Sequence, residues 1–271
     1  MIKVVEVSTL DGLLPLMTEQ EYRPDLSRFR SWYIYRGLSD VSFRLFTSLE
    51  RNCKEKMSFL EPAILKNFTK YAAREDPSIE RSVWRQMILG QHHGLPTRLL
   101  DWAHSPLIGL HFAVTEAELD AMEDHDCAVW RIDITELHRM LPEKYREVLR
   151  ANKTSIFSVD MLNQAASSPE QYDRDMGDKA MVVIEPPSID PRIINQYSFF
   201  SVIPTDMHDI EGFLDRNTNN TVKYVIKKEM RWRIRDMLDQ LNISERIVYP
   251  GLDGLSRWIG RHYYVRETPA R

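Results

Sequence analysis

A short apolar strand that runs directly into an almost wholly apolar helix sets the strongest constraint on this fold. The segment RLLDW, residues 98–102, predicts a short buried strand. Ser105 and Pro106 then open a helix, because serine can cap a first turn and proline is well suited to it. The helix PLIGLHFAVTEAELDAM, residues 106–122, is apolar on almost every side at its start. We therefore expect the strand and the beginning of this helix to lie deep in the core.

The rest of the pattern mixes strands and helices without a regular βαβ alternation. This mixture predicts an α+β fold, with a mixed central sheet and surrounding helices, rather than a doubly wound sheet. Residues 165–180 are polar, and we expect a mobile loop there. Ser78 is the predicted N-cap of a helix that runs to residue 91. The other predicted strands cover residues 31–38, 127–134, 181–187, 193–203 and 221–228, and the other predicted helices cover 60–74, 134–152 with a break at Pro142, 228–242 and the end of 244–263.

Charge and cysteine content exclude several classes of protein. The 271 residues carry a net charge of -4, which argues against a broad basic surface for nucleic acid. The basic run 223–235 is nevertheless a candidate for gripping a phosphate backbone. Cys53 and Cys127 lie far apart without a CxxC pattern, so neither a disulfide framework nor a cysteine zinc site is predicted. No apolar run suits a signal peptide or a membrane helix, so we expect a cytoplasmic protein without membrane contact.

The stretch GQHHGLPTRLLDWAHSP, residues 90–106, carries an unusual set of polar groups. Histidine and aspartate, both present in it, are residue types that bind zinc. His92 and His93 are adjacent, however, so their rings diverge on a regular element, and the chain has no HExxH motif. We therefore expect the histidines to bond backbone or solvent, and we predict no metal ligand. There is no GxSxG elbow either, and Ser105 is better explained as a helix cap than as a nucleophile.

Arg36 stands near the end of the predicted strand 31–38, beside Gly37, which lets backbone or a ligand approach closely. A buried arginine needs an anionic partner, because an unpaired buried charge is very costly. Asp101 can be that partner in a structural pair, and a phosphate can be that partner in a ligand pocket. The residues alone leave both alternatives open. Neither a Walker A lysine motif nor GxGxxG occurs, so no P-loop or Rossmann site is predicted.

Asn195 and Gln196 present a similar choice within the aromatic-rich run 193–203. Each side-chain amide has donor and acceptor groups that can bind the edge of an amide or a base in a ligand. The same groups can instead bond neighbouring strands or loops. Both interpretations remain open from the sequence.

Several blocks of the sequence together resemble the FRG domain, a mostly prokaryotic family named for an aromatic–Arg–Gly signature. The signature stands here as Tyr35-Arg36-Gly37. The second block is QHHGLPTRLLDW at residues 91–102, which is followed by SPLIGLHFA. The block YPGLDGL, residues 249–255, looks like the end of the domain, so the resemblance spans most of residues 30–260.

A third block of the resemblance is an arginine followed by glutamine and phenylalanine. Arg192, Gln196 and Phe199 match it. The family often has glycine two places after that glutamine, whereas this chain has Ser198. The departure affects the expected geometry of this one loop.

The resemblance implies an ADP-ribosyltransferase-like fold that uses NAD as co-substrate, because the order of elements in the FRG family is similar to that fold. Arg36 would bind a phosphate or ribose of NAD, and Thr97 would lie on the second strand of the site. Gln196 would stand where such transferases usually place glutamate, so His93 or Asp101 would serve as the proton acceptor. The remaining expected cofactor contacts are Tyr35, Gly37, Gly94, Arg98 and Asn195.

The same resemblance implies a function for the whole chain. Similar bacterial chains are toxins of toxin–antitoxin and anti-phage defence systems. We therefore expect an ADP-ribosyltransferase toxin that modifies a cellular macromolecule, RNA rather than protein, and that has an antitoxin partner. The alternative is a non-catalytic module that binds a nucleotide or another anion. We expect an N-terminal extension over residues 1–29, a catalytic domain over 30–262 and a tail over 263–271.

Overall fold

The computed structural model describes residues 1–77, 79, 82–188 and 190–266. Its centre is one seven-stranded sheet, to which a separate two-stranded hairpin is added. The strands are β1 Lys3–Val7, β2 Glu21–Arg23, β3 Arg28–Arg30, β4 Tyr33–Leu38, β5 Leu99–Ala103, β6 Cys127–Asp133, β7 Val182–Ile184, β8 Ser198–Val202 and β9 Val222–Ile226. In the large sheet they follow the order β1-β9-β6-β4-β5-β8-β7, while β2 and β3 form the hairpin. Among the strands that the structure describes, β1 and β9 pair in parallel, and the other neighbouring pairs of the large sheet are antiparallel. The α+β prediction is therefore confirmed.

The central sheet is divided between β4 and β5. β4 pairs with β6 along its whole length, and β5 pairs with β8 along its whole length. By contrast, β4 and β5 share a single pair of facing residues, Tyr35 and Ala103. Backbone groups beyond that pair need partners from outside a regular ladder. A cleft consequently opens between the four-stranded part and the three-stranded part of the sheet.

Most of the predicted helices are confirmed, with shifted ends. The predicted break at Pro142 separates α6 from α7, because proline cannot continue the helical hydrogen bonding. The described helices are α1 Leu14–Thr18, α2 Ser48–Cys53, α3 Met57–Ala72, α4 Val83–His92, α5 Pro106–Ala113, α6 Ile134–Arg139, α7 Glu143–Ala151, α8 Val159–Ala165, α9 Pro169–Met176, α10 Pro191–Asn195, α11 Ile210–Asn217, α12 Arg231–Gln240, α13 Glu245–Val248 and α14 Leu252–His262. The predicted cap Ser78 lies outside the described residues, and Ser82 caps α4 by accepting a hydrogen bond from the Trp84 amide at 3.2 Å.

Apolar side chains from both faces of the sheet form separate clusters. One cluster joins α4, α7, α8 and α9 to the strands β5, β7 and β8. A second packs α6 and α11 against the strands β4, β5, β6, β7 and β8. A third packs α1, α5 and α12 against β4, β6 and β9. Burial of this much apolar surface is the main favourable term in folding.

Helix α5 packs against β4 at a crossing of two glycines. A Cβ atom on Gly37 would lie 2.2 Å from the backbone oxygen of Gly109 and 2.3 Å from the backbone nitrogen of Ala113. A Cβ atom on Gly109 would in turn lie 2.9 Å from the Cβ of Tyr35. The predicted burial of this helix start is confirmed. The helix ends at Ala113 rather than near residue 122, and the carboxylate of Glu116 beyond its end accepts a hydrogen bond from Arg231 at 2.6 Å.

Two predicted segments differ from the structure. The expected mobile loop at 165–180 is wrong, because it contains α9, whose Tyr172 is fully buried. The Tyr172 hydroxyl donates to the Val202 carbonyl at 2.7 Å and accepts from the Val182 amide at 2.9 Å, and these bonds fix the helix to the sheet. The expected strand 193–203 begins instead as helix α10, because Asp190 caps it and Pro191 occupies its first turn.

The segment before residue 30 supplies a strand of the sheet and the separate hairpin. β1 pairs in parallel with β9, from Lys3 opposite Val222 to Val7 opposite Ile226. β2 and β3 form the hairpin, in which Tyr22 faces Phe29. Within the part of the chain that the structure describes, none of the helices has the length and apolar character that crossing a bilayer requires.

Candidate functional site

The cleft between β4 and β5 has a volume of about 250 Å³. It brings together Tyr35, Arg36, Gly37, Asp101 and Gln196, all of which were predicted as site residues. It is also lined by residues that were not predicted as ligands, including Gln91, Trp102, Phe112, Arg192 and Ser198. The division of the sheet, which the sequence did not reveal, is what brings these distant segments together.

Arg36 bridges the two parts of the sheet at this cleft. Its Nη1 atom donates to the backbone oxygen of Asp101 at 2.7 Å and lies 3.7 Å from the Oδ2 atom of Asp101. The Nε atom is buried and has no hydrogen-bond partner in the described part of the chain. Burial lowers the pKa of the Arg36 guanidinium, and the nearby charge of Asp101 opposes that shift. The arginine therefore has a structural partner and still has donors to offer to an anion.

A line of hydrogen bonds holds the Asp101 carboxylate at the edge of the cleft. Thr97 donates its hydroxyl proton to the Oε1 atom of Gln91 at 2.6 Å, and Gln91 donates from Nε2 to the Oδ2 atom of Asp101 at 2.7 Å. The Thr97 hydroxyl also accepts from the Leu99 amide at 3.1 Å. Because the Asp101 carboxylate can only accept, it fixes the NH2 end of the Gln91 amide towards itself, and the oxygen end of that amide then accepts from Thr97. Thr97 itself is buried, so it acts on the site through Gln91.

The side-chain amides at the end of α10 bond the end of helix α13. Asn195 donates from Nδ2 to the Ile247 carbonyl at 2.8 Å, and Gln196 donates from Nε2 to the Val248 carbonyl at 3.1 Å. Gln196 lines the cleft, whereas Asn195 is not among the residues around it. The sequence left open whether these amides bind a ligand or bond a neighbouring segment of the chain. In the structure each side-chain NH2 group donates to such a neighbouring segment.

The family comparison bears directly on the residues around Arg36. Residues 31–121 match the FRG domain family model. The matched segment contains the signature Tyr35-Arg36-Gly37 and the block at 91–102, so the resemblance of these motifs to the FRG family is supported. No curated protein and no solved structure matches the chain.

Within the FRG segment, four predicted site residues lie outside the cleft, namely His93, Gly94, Thr97 and Arg98. Arg98 is a correction: its buried guanidinium bonds the Glu61 carboxylate and lies 2.6 Å from Asp173, so it does not line the cleft. These carboxylates raise the pKa of Arg98 against the opposing effect of burial. His93 and Gly94 are exposed and also lie outside the cleft.

The signature glycine has a packing role. Gly37 was expected to admit backbone or a ligand, and the backbone of α5 is what occupies the space where a Cβ atom would be. The residue still borders the cleft. The aromatic–Arg–Gly signature of the FRG segment thus combines a cleft arginine with a glycine that allows close contact of helix and strand.

The histidines of the FRG segment have separate surroundings. His92 Nε2 lies 3.2 Å from the Oδ1 atom of Asp190, and burial lowers the pKa of His92 against the attraction of that carboxylate. Burial also lowers the pKa of His104, whose ring lies beside Phe199. The described residues contain no group of three or more His, Cys, Asp or Glu side chains that could hold a metal ion.

A second cavity of about 660 Å³ adjoins the cleft at Arg192, which lines both. The Arg192 guanidinium lies 5.1 Å from the ring centroid of Tyr249, and that of Arg257 lies 5.4 Å from the same centroid. These residues lie outside the FRG segment matched by the family model. The resemblance to the FRG blocks named Arg192 and the YPGLDGL run, but no local pattern indicated that they meet.

Part of the basic run 223–235 is buried and cannot grip a phosphate backbone, while Arg233 of the same run is exposed. Arg231 and Arg235 are fully buried, Arg231 against Glu116 and Arg235 against His111. Lys227 forms an ion pair with Asp126 at 3.2 Å. The run is amphipathic, and several of its charges serve the core of the fold.

Proposed function

We propose that this chain is an ADP-ribosyltransferase with the corresponding fold and that it uses NAD as its donor. The observation that supports this proposal best is the partly buried Arg36 guanidinium at the divided sheet. It retains unused hydrogen-bond donors beside a cleft, and such donors suit a phosphate or ribose oxygen. The FRG segment contributes both edges of this cleft.

The size and connection of the two cavities also support a dinucleotide donor. The cleft of about 250 Å³ is too small for a whole dinucleotide, but it meets the cavity of about 660 Å³ at Arg192. Small-molecule sites typically span roughly 300–1,000 Å³, which is the range of the two cavities taken together. We assign the nicotinamide and its ribose to the cleft and the adenosine diphosphate part to the larger cavity.

In the proposed reaction the bond between nicotinamide nitrogen and the anomeric carbon of ribose breaks. The bonding electron pair leaves with the nicotinamide, which becomes neutral, and the sugar carbon gains oxocarbenium character. An acceptor oxygen or nitrogen then forms a bond to that carbon and loses a proton. Asp101 takes up this proton, since its carboxylate lines the cleft whereas His93 does not. Arg36 positions the donor by bonding a ribose oxygen, and the negative charge of Asp101 stabilises the positive charge that develops on the sugar.

We propose RNA as the acceptor and a bacterial toxin, held by an antitoxin, as the biological role. The support for RNA comes from the hairpin β2–β3. Tyr22 and Phe29 pack edge to face with ring centroids 5.3 Å apart, yet 53% and 59% of these residues are exposed. Phe29 and Arg30 line a cavity that reaches Tyr35 of the cleft. Exposed aromatic rings beside arginines are typical of platforms for unpaired bases.

The decisive test measures nicotinamide release from NAD, together with mass spectrometry of RNA and protein from cells that express the chain. We expect an added ADP-ribose on RNA. Arg36→Ala should abolish both signals while the circular dichroism spectrum stays unchanged. Arg44→Ala is the matched control, because Arg44 is an exposed arginine of the same FRG segment that pairs with Asp209 away from the cleft. A folded Arg36→Ala protein with full activity would overturn the proposal.

The same experiment separates the enzyme from a non-catalytic module. A module of that kind would bind NAD in an Arg36-dependent way without releasing nicotinamide, even when total cellular RNA and protein are supplied as acceptors. This second function shares the cleft with the first. The release of nicotinamide decides between them.

A further inference from the structure

We propose that Arg192, Arg257 and Tyr249 form a phosphate-binding subsite in the larger cavity. The inference rests on the proposed function in one respect, because it assigns the diphosphate of NAD to this subsite. The chemistry it needs is more general: the subsite binds a diphosphate group through two guanidinium groups. It can therefore be tested with ligands that lack the bond between nicotinamide and ribose.

Two guanidinium groups approach one aromatic ring in this cavity. Their central carbons lie 5.1 Å (Arg192) and 5.4 Å (Arg257) from the ring centroid of Tyr249. Attraction to the ring face holds each cation there. The two cations repel each other, and an anion that contacts both would relieve that repulsion. The ring thus holds the two guanidinium groups side by side, and their donors face the cavity that all three residues line.

The two arginines have donors to spare. Within the described ranges neither guanidinium forms an ion pair with a carboxylate, in contrast to Arg98 and Arg261, whose carboxylate partners lie close by. Arg192 makes one long hydrogen bond of 3.5 Å to the His92 carbonyl, and its Nε atom is buried without a partner. A diphosphate offers several acceptor oxygens to such groups, and Arg–phosphate contacts are often bidentate.

The position of Tyr249 is fixed by its neighbours on both sides. The carbonyls just before it, those of Ile247 and Val248, accept hydrogen bonds from Asn195 and Gln196. After it, the chain turns so tightly that a Cβ atom on Gly254 would lie 1.8 Å from the Tyr249 carbonyl oxygen. The YPGLDG run is therefore built around the placement of this ring. A fixed platform lowers the cost of ordering the two arginines when a ligand binds.

Two acidic residues also line the cavity. Asp190 accepts a hydrogen bond from the Arg192 amide at 2.7 Å and faces His92 at 3.2 Å, so its charge is partly compensated. Asp253 lies in the first turn of α14 and is exposed. Its charge opposes an incoming phosphate. Removing it should therefore strengthen the binding of a diphosphate.

The test is calorimetric titration of the full chain with inorganic pyrophosphate and with ADP. We expect Arg257→Gln to lower the affinity for both ligands about tenfold, which corresponds to the loss of one charged contact. Arg246→Gln is the matched control, since Arg246 is also exposed and stacks on an aromatic ring, Trp258 at 4.8 Å, but does not line the cavity. Asp253→Asn should tighten both ligands. Equal affinities in the native chain, Arg257→Gln and Asp253→Asn, or no binding of pyrophosphate and ADP at all, would overturn the subsite.

These outcomes are separable from those of the proposed function. If pyrophosphate binds through Arg257 but no nicotinamide is released from NAD, the subsite stands and the transferase does not. If nicotinamide release depends on Arg36 but Arg257→Gln changes neither ligand affinity nor the KM for NAD, the transferase stands and the subsite does not. Arg192→Gln is a second variant for the subsite, and it should weaken pyrophosphate binding as Arg257→Gln does.

Discussion

The Nη1 atom of Arg36 donates a 2.7 Å hydrogen bond to the backbone oxygen of Asp101 where β4 and β5 stop pairing. A side chain thereby supplies the donor that a neighbouring strand would supply in a continuous sheet. This contact fixes the distance between β4 and β5 at the cleft and holds the guanidinium at the cleft edge. Under the proposed function, a structural role and a ligand-binding role meet in this one residue.

Arg36→Lys separates charge from geometry at this edge. An ammonium group keeps the positive charge but has no planar fork, so it cannot bond the Asp101 carbonyl and a ligand oxygen together. We expect at least a tenfold loss of NAD turnover, with a loss of about 1 kcal/mol in the free energy of unfolding from the weakened hydrogen bond. Nicotinamide release and urea denaturation measure the two effects. Native turnover in the lysine variant would show that charge alone suffices.

Thr97→Val tests the line of hydrogen bonds that ends at Asp101. The change is almost isosteric, but it removes the donor to Gln91 and leaves the Leu99 amide without its side-chain acceptor. Unsatisfied buried groups cost about 1–3 kcal/mol, so the urea midpoint should fall. Activity should fall as well, since Gln91 is then free to turn away from Asp101. Thr97→Ser retains the hydroxyl and should restore most of both properties; if it does not, packing of the methyl group explains the loss.

Gly37→Ala tests the close contact of α5 with β4. The added methyl group would overlap the backbone atoms of Gly109 and Ala113, which no side-chain rotation can relieve. We expect a loss of roughly 3 kcal/mol or more, measured by urea denaturation. Gly260→Ala in helix α14 is the control of opposite sign: no atom lies within 4 Å of its added methyl group. That variant should gain about 0.5–1 kcal/mol from its better helix propensity.

Phe29→Ala tests the hairpin as a platform for the acceptor. The variant should lose RNA labelling, because stacking contributes about 1–3 kcal/mol for each base, while nicotinamide release to water is unchanged. Phe59→Ala is the matched control, since Phe59 lies on α3 and is 80% exposed. Labelling is read by mass spectrometry of digested RNA. Equal losses in both variants would indicate a general effect of exposed phenylalanines instead of a platform.

His138 gives the fold a defined dependence on pH. It is buried, its ring bonds the Ser155 carbonyl at 2.8 Å and accepts from the Val183 amide at 3.0 Å, and burial lowers its pKa from 6.5 to about 4. Because the unfolded chain binds the proton more tightly, this stabilisation is complete above pH 6.5 and is lost as the pH falls towards 4. The loss is on the order of 3 kcal/mol.

Urea midpoints measured between pH 7.5 and pH 4 check this dependence. His138→Gln should lower stability at neutral pH and flatten the slope between pH 6.5 and 4. An unchanged slope in His138→Gln would assign the pH dependence to other groups.

The elements that the sequence predicted correctly can each be recognised from the apolar pattern of their own residues. β4, β5, β6 and β9 carry apolar residues in short runs, and α5 is apolar almost all round, so burial alone indicates their type. α9 was missed because most of its residues are polar, and its buried side chains are those of Tyr172 and Met176. Helix α10 was missed because a cap by Asp190 and a first-turn proline outweighed the apolar run that follows.

The candidate site was predicted in part for a different reason. Arg36 and Asp101 were paired from the rule that a buried charge needs a partner, and the structure places them in contact. Gln91 was missed because its role depends on Thr97 and Asp101 meeting across a turn. Arg98 could not be distinguished from a ligand contact, since its partners Glu61 and Asp173 come from helices far along the chain. The rule that a buried charge needs a partner indicates that a partner exists, whereas the fold determines which residue that partner is.

The parallel pairing of β1 with β9 has a consequence for synthesis. Lys3 lies opposite Val222, so β1 has no strand to pair with in parallel until β9 has been synthesised. Tyr249 and Arg257 emerge later still. A nascent chain can therefore complete neither this sheet edge nor the candidate nucleotide cavity before residues 222–257 have emerged.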